Sequence, residues 1–201
     1  MFKLLAKLPR SIAVAVSGGV DSMVALHFLK QKHDVTVLHY VHNSEYSGTE
    51  LNFVQNYCNE HCLDIRIKYQ TEEKEKSQSK EEYWRAGRLE FFKECELPVI
   101  TGATLDDAVE WYIFSALHGL GKYMEVKNEN VLKPFLGTTK HELVKYAIKN
   151  SVPWITDPSN SNPEAASRNR IRNVILPELL KVNPGLFKVV KKRIIEKTKN
   201  V

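Results

Sequence analysis

Short apolar runs alternate with segments of helical period through the first half of the chain. Residues 11–16 are apolar and β-branched, and the glycine pair Gly18–Gly19 closes the run, as expected of a strand buried on both faces. Residues 21–32 carry Met23, Val24, Leu26, His27 and Leu29 at roughly helical spacing. Asp21 or Ser22 stands where a helix start favours a polar residue. The alternation continues with a strand at 35–39, a polar loop at 43–48 and a helix at 49–61. A strand at 64–69 follows, then a strongly polar loop or lid at 70–80. A helix at 81–95, a strand at 98–102 and a helix at 106–117 complete this half. Strand–helix repetition at this pitch predicts an α/β fold with a mostly parallel sheet and right-handed crossovers.

The second half reads differently. Residues 132–136 are short and hold Pro134. Residues 140–150 form an amphipathic helix with Leu143, Ala147 and Ile148 on one side, and 153–163 is rich in turn formers. A basic helix is predicted over 168–181. Asn183–Pro184–Gly185 then breaks the chain before a final basic helix.

Composition narrows the class. Hydrophobic residues at 43% and charged residues at 26% suit a globular domain and exclude wholesale disorder. No apolar run reaches the ~18 residues of a membrane helix, and the first residues do not read as a signal peptide. Three cysteines without an export signal suggest a reducing, cytoplasmic setting, with Cys58 and Cys62 as small buried residues on one helix. The formal charge is +5, but residues 181–201 hold seven cations against Glu196 alone, a net +6, leaving about −1 elsewhere. This division sets a domain at 1–180 apart from a basic helical tail at 181–201. The tail suits a polyanionic partner, nucleic acid first, or serves only as a solvated end.

Ser17–Gly18–Gly19–Val20–Asp21–Ser22 joins the first strand to the first helix. Free backbone N–H groups and the positive helix end favour phosphate there, and glycines let the backbone approach it. Ser17 and Ser22 add hydroxyls. Asp21 makes sense beside phosphate if Mg²⁺ bridges the two. The pattern is neither GxxxxGK[ST] nor GxGxxG. It resembles the PP-loop of the N-type ATP pyrophosphatases, which adenylate a substrate and release pyrophosphate. The resemblance implies a parallel-sheet domain of the adenine nucleotide alpha hydrolase-like, Rossmann-like kind that binds ATP through residues 17–22.

Further segments narrow the choice. Asp107 and Glu110 lie i, i+3 after a predicted strand, so they share a helix face. They suit a cation, Mg²⁺ or a substrate ammonium, or else simply complement the helix dipole. Arg85 and Arg88 are likewise i, i+3 and suit phosphate, while Glu82 is an alternative partner for Arg85. Phe91 and Phe92 read as core. Pro134–Phe135–Leu136, then Lys140, Glu142, Leu143, Tyr146 and Ala147, lead to Trp154 and the run Asp157–Pro158–Ser159–Asn160. Arg168–Asn169–Arg170–Ile171–Arg172 follows, ending at Ile175–Leu176–Pro177. In this order, over about residues 11–180, the chain resembles the tRNA(Ile)-lysidine synthetase family.

That resemblance implies a ligase that uses ATP and Mg²⁺. It would adenylate the wobble cytidine of an isoleucine tRNA with a CAU anticodon, after which the amine of free lysine displaces AMP to give lysidine. It places Asp21, Asp107, Glu110, Arg88 (or Arg85) and Arg168 at catalytic positions, with Asp21 and Asp107 as the Mg²⁺ candidates. Departures surround the substrate side. Ala103 and Thr104 stand where the family has a pair such as two histidines, Ala108 replaces a usual Gln and Trp111 a usual Thr. His42 keeps a family position, but the arginine-containing pattern after it is replaced by Asn43–Ser44–Glu45. Family members continue into tRNA-gripping domains, so a catalytic-domain-only form is expected, acting as a homo-oligomer or with a partner. Two rival readings stay open: a PP-loop adenylating enzyme with another nucleophile or RNA, and a weakened nucleotide- or RNA-binding protein.

Overall fold

The computed structural model describes residues 2–70, 80–156 and 167–199. Most of the expected lid and the Asp157–Asn160 run lie outside the described residues. Among the described residues, six strands form one sheet in the order β3-β2-β1-β4-β6-β5. The strands are β1 (Ser11–Ala15), β2 (Asp34–Val41), β3 (Asp64–Tyr69), β4 (Val99–Ile100), β5 (Lys127–Asn128) and β6 (Val131–Leu132). All neighbouring pairs are parallel except β5 with β6. Alternating side chains of β1 serve opposite faces. Ile12 and Val14 join the core under α1 (Val20–Leu29), α2 (Ser47–Glu60) and α5 (Lys140–Lys149), whereas Ala13 meets Phe91 and Phe92 of α3 (Lys80–Lys93). Burial of β1 on both faces explains why its sequence shows no polar alternation.

After β3 the chain returns past β1, so the order reverses between β1 and β4. That reversal opens a crevice at the carboxyl ends of the two strands, where ligands bind open α/β sheets. The loop 17–19 and the loop 101–104, which leads into α4 (Leu105–Leu117), flank this crevice.

The basic helix expected over 168–181 is interrupted. It runs as α6 (Ser167–Arg170), a π-helical turn at Ile171–Ile175 and α7 (Leu176–Val182). Pro177 has no N–H to give the carbonyl four residues back, and the Leu176 N–H reaches Ile171 instead. The charge-rich end forms α8 (Leu186–Lys199), which buries Val190 and Ile194 in a core shared with Val109 and Ile113 of α4. Of its lysines, Lys188 and Lys192 are exposed, whereas Lys191 donates to the Gly137 carbonyl. Cys58 is buried as expected. Cys62 is exposed, because α2 ends at Glu60 and Cys62 turns into the left-handed region at φ 52°. Among the described residues, no helix is long and apolar enough to cross a membrane.

Candidate active site

The loop after β1 is shaped before any ligand arrives. The buried Ser22 hydroxyl donates to the Gly19 carbonyl at 2.9 Å and accepts from the Ser17 N–H at 3.2 Å. The Ser17 hydroxyl lies 3.3 Å from it on the exposed side, so Ser22 organises the loop while Ser17 faces solvent. Gly18 has φ +90°, and a Cβ there would sit 3.0 Å from Ile155. The Ile155 N–H also donates to the Gly18 carbonyl at 3.0 Å, docking the Trp154–Ile155–Thr156 segment on the loop. Gly102, after β4, comes closer still: a Cβ on it would lie 2.6 Å from the Asp21 carbonyl oxygen. The two sides of the crevice therefore touch through backbone.

The opposite wall is a network of acids and cations. Thr104 caps α4: its hydroxyl and its N–H both donate to Asp107 Oδ2 at 2.8 Å. This leaves Asp107 Oδ1 to accept from Arg168 Nη2 at 2.9 Å. Glu110 is 1% exposed and accepts three bonds: from Arg172 Nε at 2.6 Å, Arg172 Nη2 at 2.9 Å and Arg168 Nε at 3.0 Å. Asp106 accepts from the Lys140 N–H at 2.7 Å, tying α4 to the start of α5. The Lys140 ammonium then reaches across to Asp21 Oδ2 at 3.1 Å.

Charges in this network are unevenly satisfied. Burial, with help from nearby Asp107, holds the Asp21 carboxyl above its usual range despite the opposing pull of Lys140 and Arg172. Its second oxygen, Oδ1, is buried and has no hydrogen-bond partner among the described residues. Asp106 is likewise raised, mainly by burial. Burial opposes the charge of Arg172, but the Glu110 hydrogen bond and the surrounding carboxylates raise its pKa overall. An acid already disposed against charge, with one orphaned oxygen beside a phosphate-shaped loop, suits a cation arriving with phosphates. Asp107 stands close enough to affect Asp21 electrostatically, but one of its oxygens serves the cap and the other Arg168.

Of the residues singled out from sequence, Ser17–Ser22, Asp107, Glu110 and Arg168 come together around the crevice. Arg88 lies on the exposed side of α3 near His42, which the rings of Tyr40 and Trp84 flank at 5.1 Å each. Burial, then Arg88 and His39, push His42 down to about 4. His39 is buried too and lowered by burial, and its Nδ1 lies 2.8 Å from the Val16 carbonyl. Sequence reasoning missed Arg172 and Lys140. The spacing Arg168–Arg172 places both guanidiniums on one side of a helical run, a signal that was available. Lys140 carried none, because only the packing of α5 on α1 brings it to Asp21.

The fold and the loop together define a nucleotide-binding α/β domain with its site at the strand reversal. The model of the PP-loop domain matches residues 2–179, and the chain belongs to that family. Similar sequences include the tRNA(Ile)-lysidine synthase of Francisella philomiragia subsp. philomiragia, 31% identical over 90% of this chain and 49% of that protein. The protein of the same name from Nitrosomonas europaea is 30% identical over 89% of this chain and 43% of its own length. The chain thus spans less than half of either relative. A similar solved structure is the NH3-dependent NAD synthetase of Campylobacter jejuni, with a TM-score of 0.52, 16% identity and coverage of 95% of this chain and 86% of that one. That likeness concerns the fold.

Proposed function

We propose that the chain is the ATP-dependent catalytic unit of a tRNA-modifying ligase of lysidine-synthetase type. The observation that carries this reading is the pairing, across one crevice, of a preshaped phosphate loop with the Asp107–Glu110–Arg168–Arg172 network, bridged by Asp21 and Lys140. The names of the relatives support the RNA and the amine chosen here.

In this reading the loop N–H groups, Ser17 and Lys140 bind the phosphates that leave as pyrophosphate. Mg²⁺ would be held chiefly by the orphaned oxygen of Asp21, with Asp107 beside it, and would offset phosphate charge. The wobble cytidine oxygen attacks the α-phosphorus, forming the adenylate as the bond to pyrophosphate breaks. The lysine amine then forms a bond to C2, and AMP departs. Arg168 and Arg172, anchored by Glu110, present cationic groups to the phosphates. The lysine ammonium must lose a proton before it attacks.

The test is direct. Pure protein is incubated with ATP, Mg²⁺, radiolabelled lysine and unmodified isoleucine tRNA bearing CAU. Label in the RNA that vanishes when the wobble cytidine is replaced is the expected result. AMP release without lysine incorporation would move the assignment to another nucleophile, and neither product would withdraw it in favour of a binding role.

A further inference from the structure

One face of α4 carries more than the acidic pair. Asp107, Trp111, Phe114 and His118 follow at i, i+4, i+7 and i+11, a single stripe along the helix. Val109 and Ile113 occupy the opposite side and fill the core. The Trp111 and Phe114 rings are 6.0 Å apart and 25° from parallel; Phe114 and His118 are 4.4 Å apart at 34°. His118 Nδ1 lies 2.8 Å from the Phe114 carbonyl, which fixes the last ring of the row. Trp111 and Phe114 are half-buried and His118 is exposed. Leu117 and Leu120, at 66% and 59% exposure, extend the apolar surface beyond them.

Cations border the row. The Arg85 guanidinium, on the exposed side of α3, lies 5.7 Å from the Trp111 ring centre. The Lys133 ammonium, which donates to the Glu125 carbonyl at 3.3 Å, feels the Arg85 charge. The two half-buried rings keep part of their surface open to solvent beside exposed Leu117 and Leu120, while Phe114 also packs on the core beneath. Flat rings beside guanidinium and ammonium groups are the chemistry that receives an unpaired nucleobase and its phosphate. A peptide partner would find no such complement in Arg85 and Lys133 unless it were acidic, and the row starts one turn from Asp107, where the RNA is to react.

We propose that Trp111, Phe114 and His118 form a stacking platform for an unpaired base of the RNA next to the reacting one, with Arg85 over its edge. The proposal rests on the RNA-modifying reading above and deepens it. Trp111 and Phe114 stand apart from the hydrogen bonds of the phosphate loop and of the acid–guanidinium network, so their effect is on RNA binding.

The experiment measures binding of a labelled RNA hairpin with a CAU loop to the full chain, for wild type, Trp111→Ala and Trp111→Phe, across a salt series. Removing the ring under one stacked base weakens binding by about 5- to 150-fold in Trp111→Ala, and the salt slope stays unchanged because an indole neutralises no phosphate. Trp111→Phe stays within a few-fold of wild type. A second measurement needs no variant: 2-aminopurine placed beside the wobble position is quenched on binding wild type. Equal affinity of Trp111→Ala and wild type, or unquenched 2-aminopurine in bound RNA, overturns the platform alone. Absence of RNA binding by wild type withdraws the RNA reading itself. Sedimentation of the same samples adds one more outcome: a dimer that dissociates in Trp111→Ala with RNA binding intact would assign the face to a second copy and overturn the proposal.

Discussion

The two walls of the crevice are built in different ways. The loop at 17–22 is one contiguous hexapeptide shaped by its own backbone and the Ser22 hydroxyl. The facing network draws on α4, α5 and the α6–π-turn run, joining residues 34 to 62 positions apart. A wall made of backbone tolerates removal of a side-chain charge. A wall in which a fully buried carboxylate is neutralised by half-buried guanidiniums does not, because the desolvated Glu110 and its partners depend on each other. Substitutions should therefore separate activity from stability on the loop wall and merge them on the network wall.

The largest effect belongs to the network. Glu110→Ala leaves Arg168 and Arg172 with Asp107 alone beside a buried void and should lower unfolding free energy by about 3 kcal/mol, read by denaturant melts. Turnover should be lost with it. A Glu110→Ala protein as stable as wild type would show that the network is not what holds α4 to α6.

Asp21→Asn is the loop-side counterpart. It should cut AMP formation about 10²- to 10³-fold while the thermal midpoint stays at or above that of wild type. The sign follows from burial: a carboxyl whose folded pKa is raised costs stability when ionised at neutral pH, and a neutral amide removes that cost. A drop in midpoint would mean that the Lys140 bond outweighs desolvation.

A third, smaller effect tests the ring-lined wall beside Arg88. Folded His42 titrates at about 4 and an unfolded histidine near 6.5, so between these values the unfolded chain binds more protons. Its stabilising contribution is full above about 6.5 and is lost as pH falls toward 4. Between pH 8 and pH 5 wild type should lose about 2 kcal/mol more than His42→Phe, which keeps a ring between Tyr40 and Trp84. Parallel pH profiles would place His42 in water.

The smallest effect concerns α8. Removing the whole helix would strip Val190 and Ile194 from the core, so charge is better tested by Lys188→Gln with Lys192→Gln, both exposed. The protein should stay folded, and the logarithmic salt slope of RNA binding should shrink by about one for each phosphate that a lysine had neutralised. An unchanged slope would leave these lysines as solvated coat.

How far the sequence reached follows the same division. The strands, the parallel sheet and the glycine loop at 17–22 were legible because each rests on a local pattern: an apolar run, a glycine pair, a polar helix start. Asp107 and Glu110 were legible as a pair because one helix turn joins them. Lys140 was not, since its partner lies 119 positions away. The basic end was legible as a helix but its docking was not: the apolar positions Val190 and Ile194 recur at helical spacing and pack α8 on α4. Thr104 looked like a departure at a substrate position, and in the fold it caps α4 and orients Asp107.

The central claim is that loop and network together cleave ATP between its α- and β-phosphates in response to RNA. It is tested most directly by following α-labelled ATP with Mg²⁺, CAU-anticodon RNA and lysine. RNA-dependent AMP with matching pyrophosphate is expected, both cut about 10²- to 10³-fold in Asp21→Asn. ADP with inorganic phosphate, or AMP at the same rate from Asp21→Asn, would contradict it.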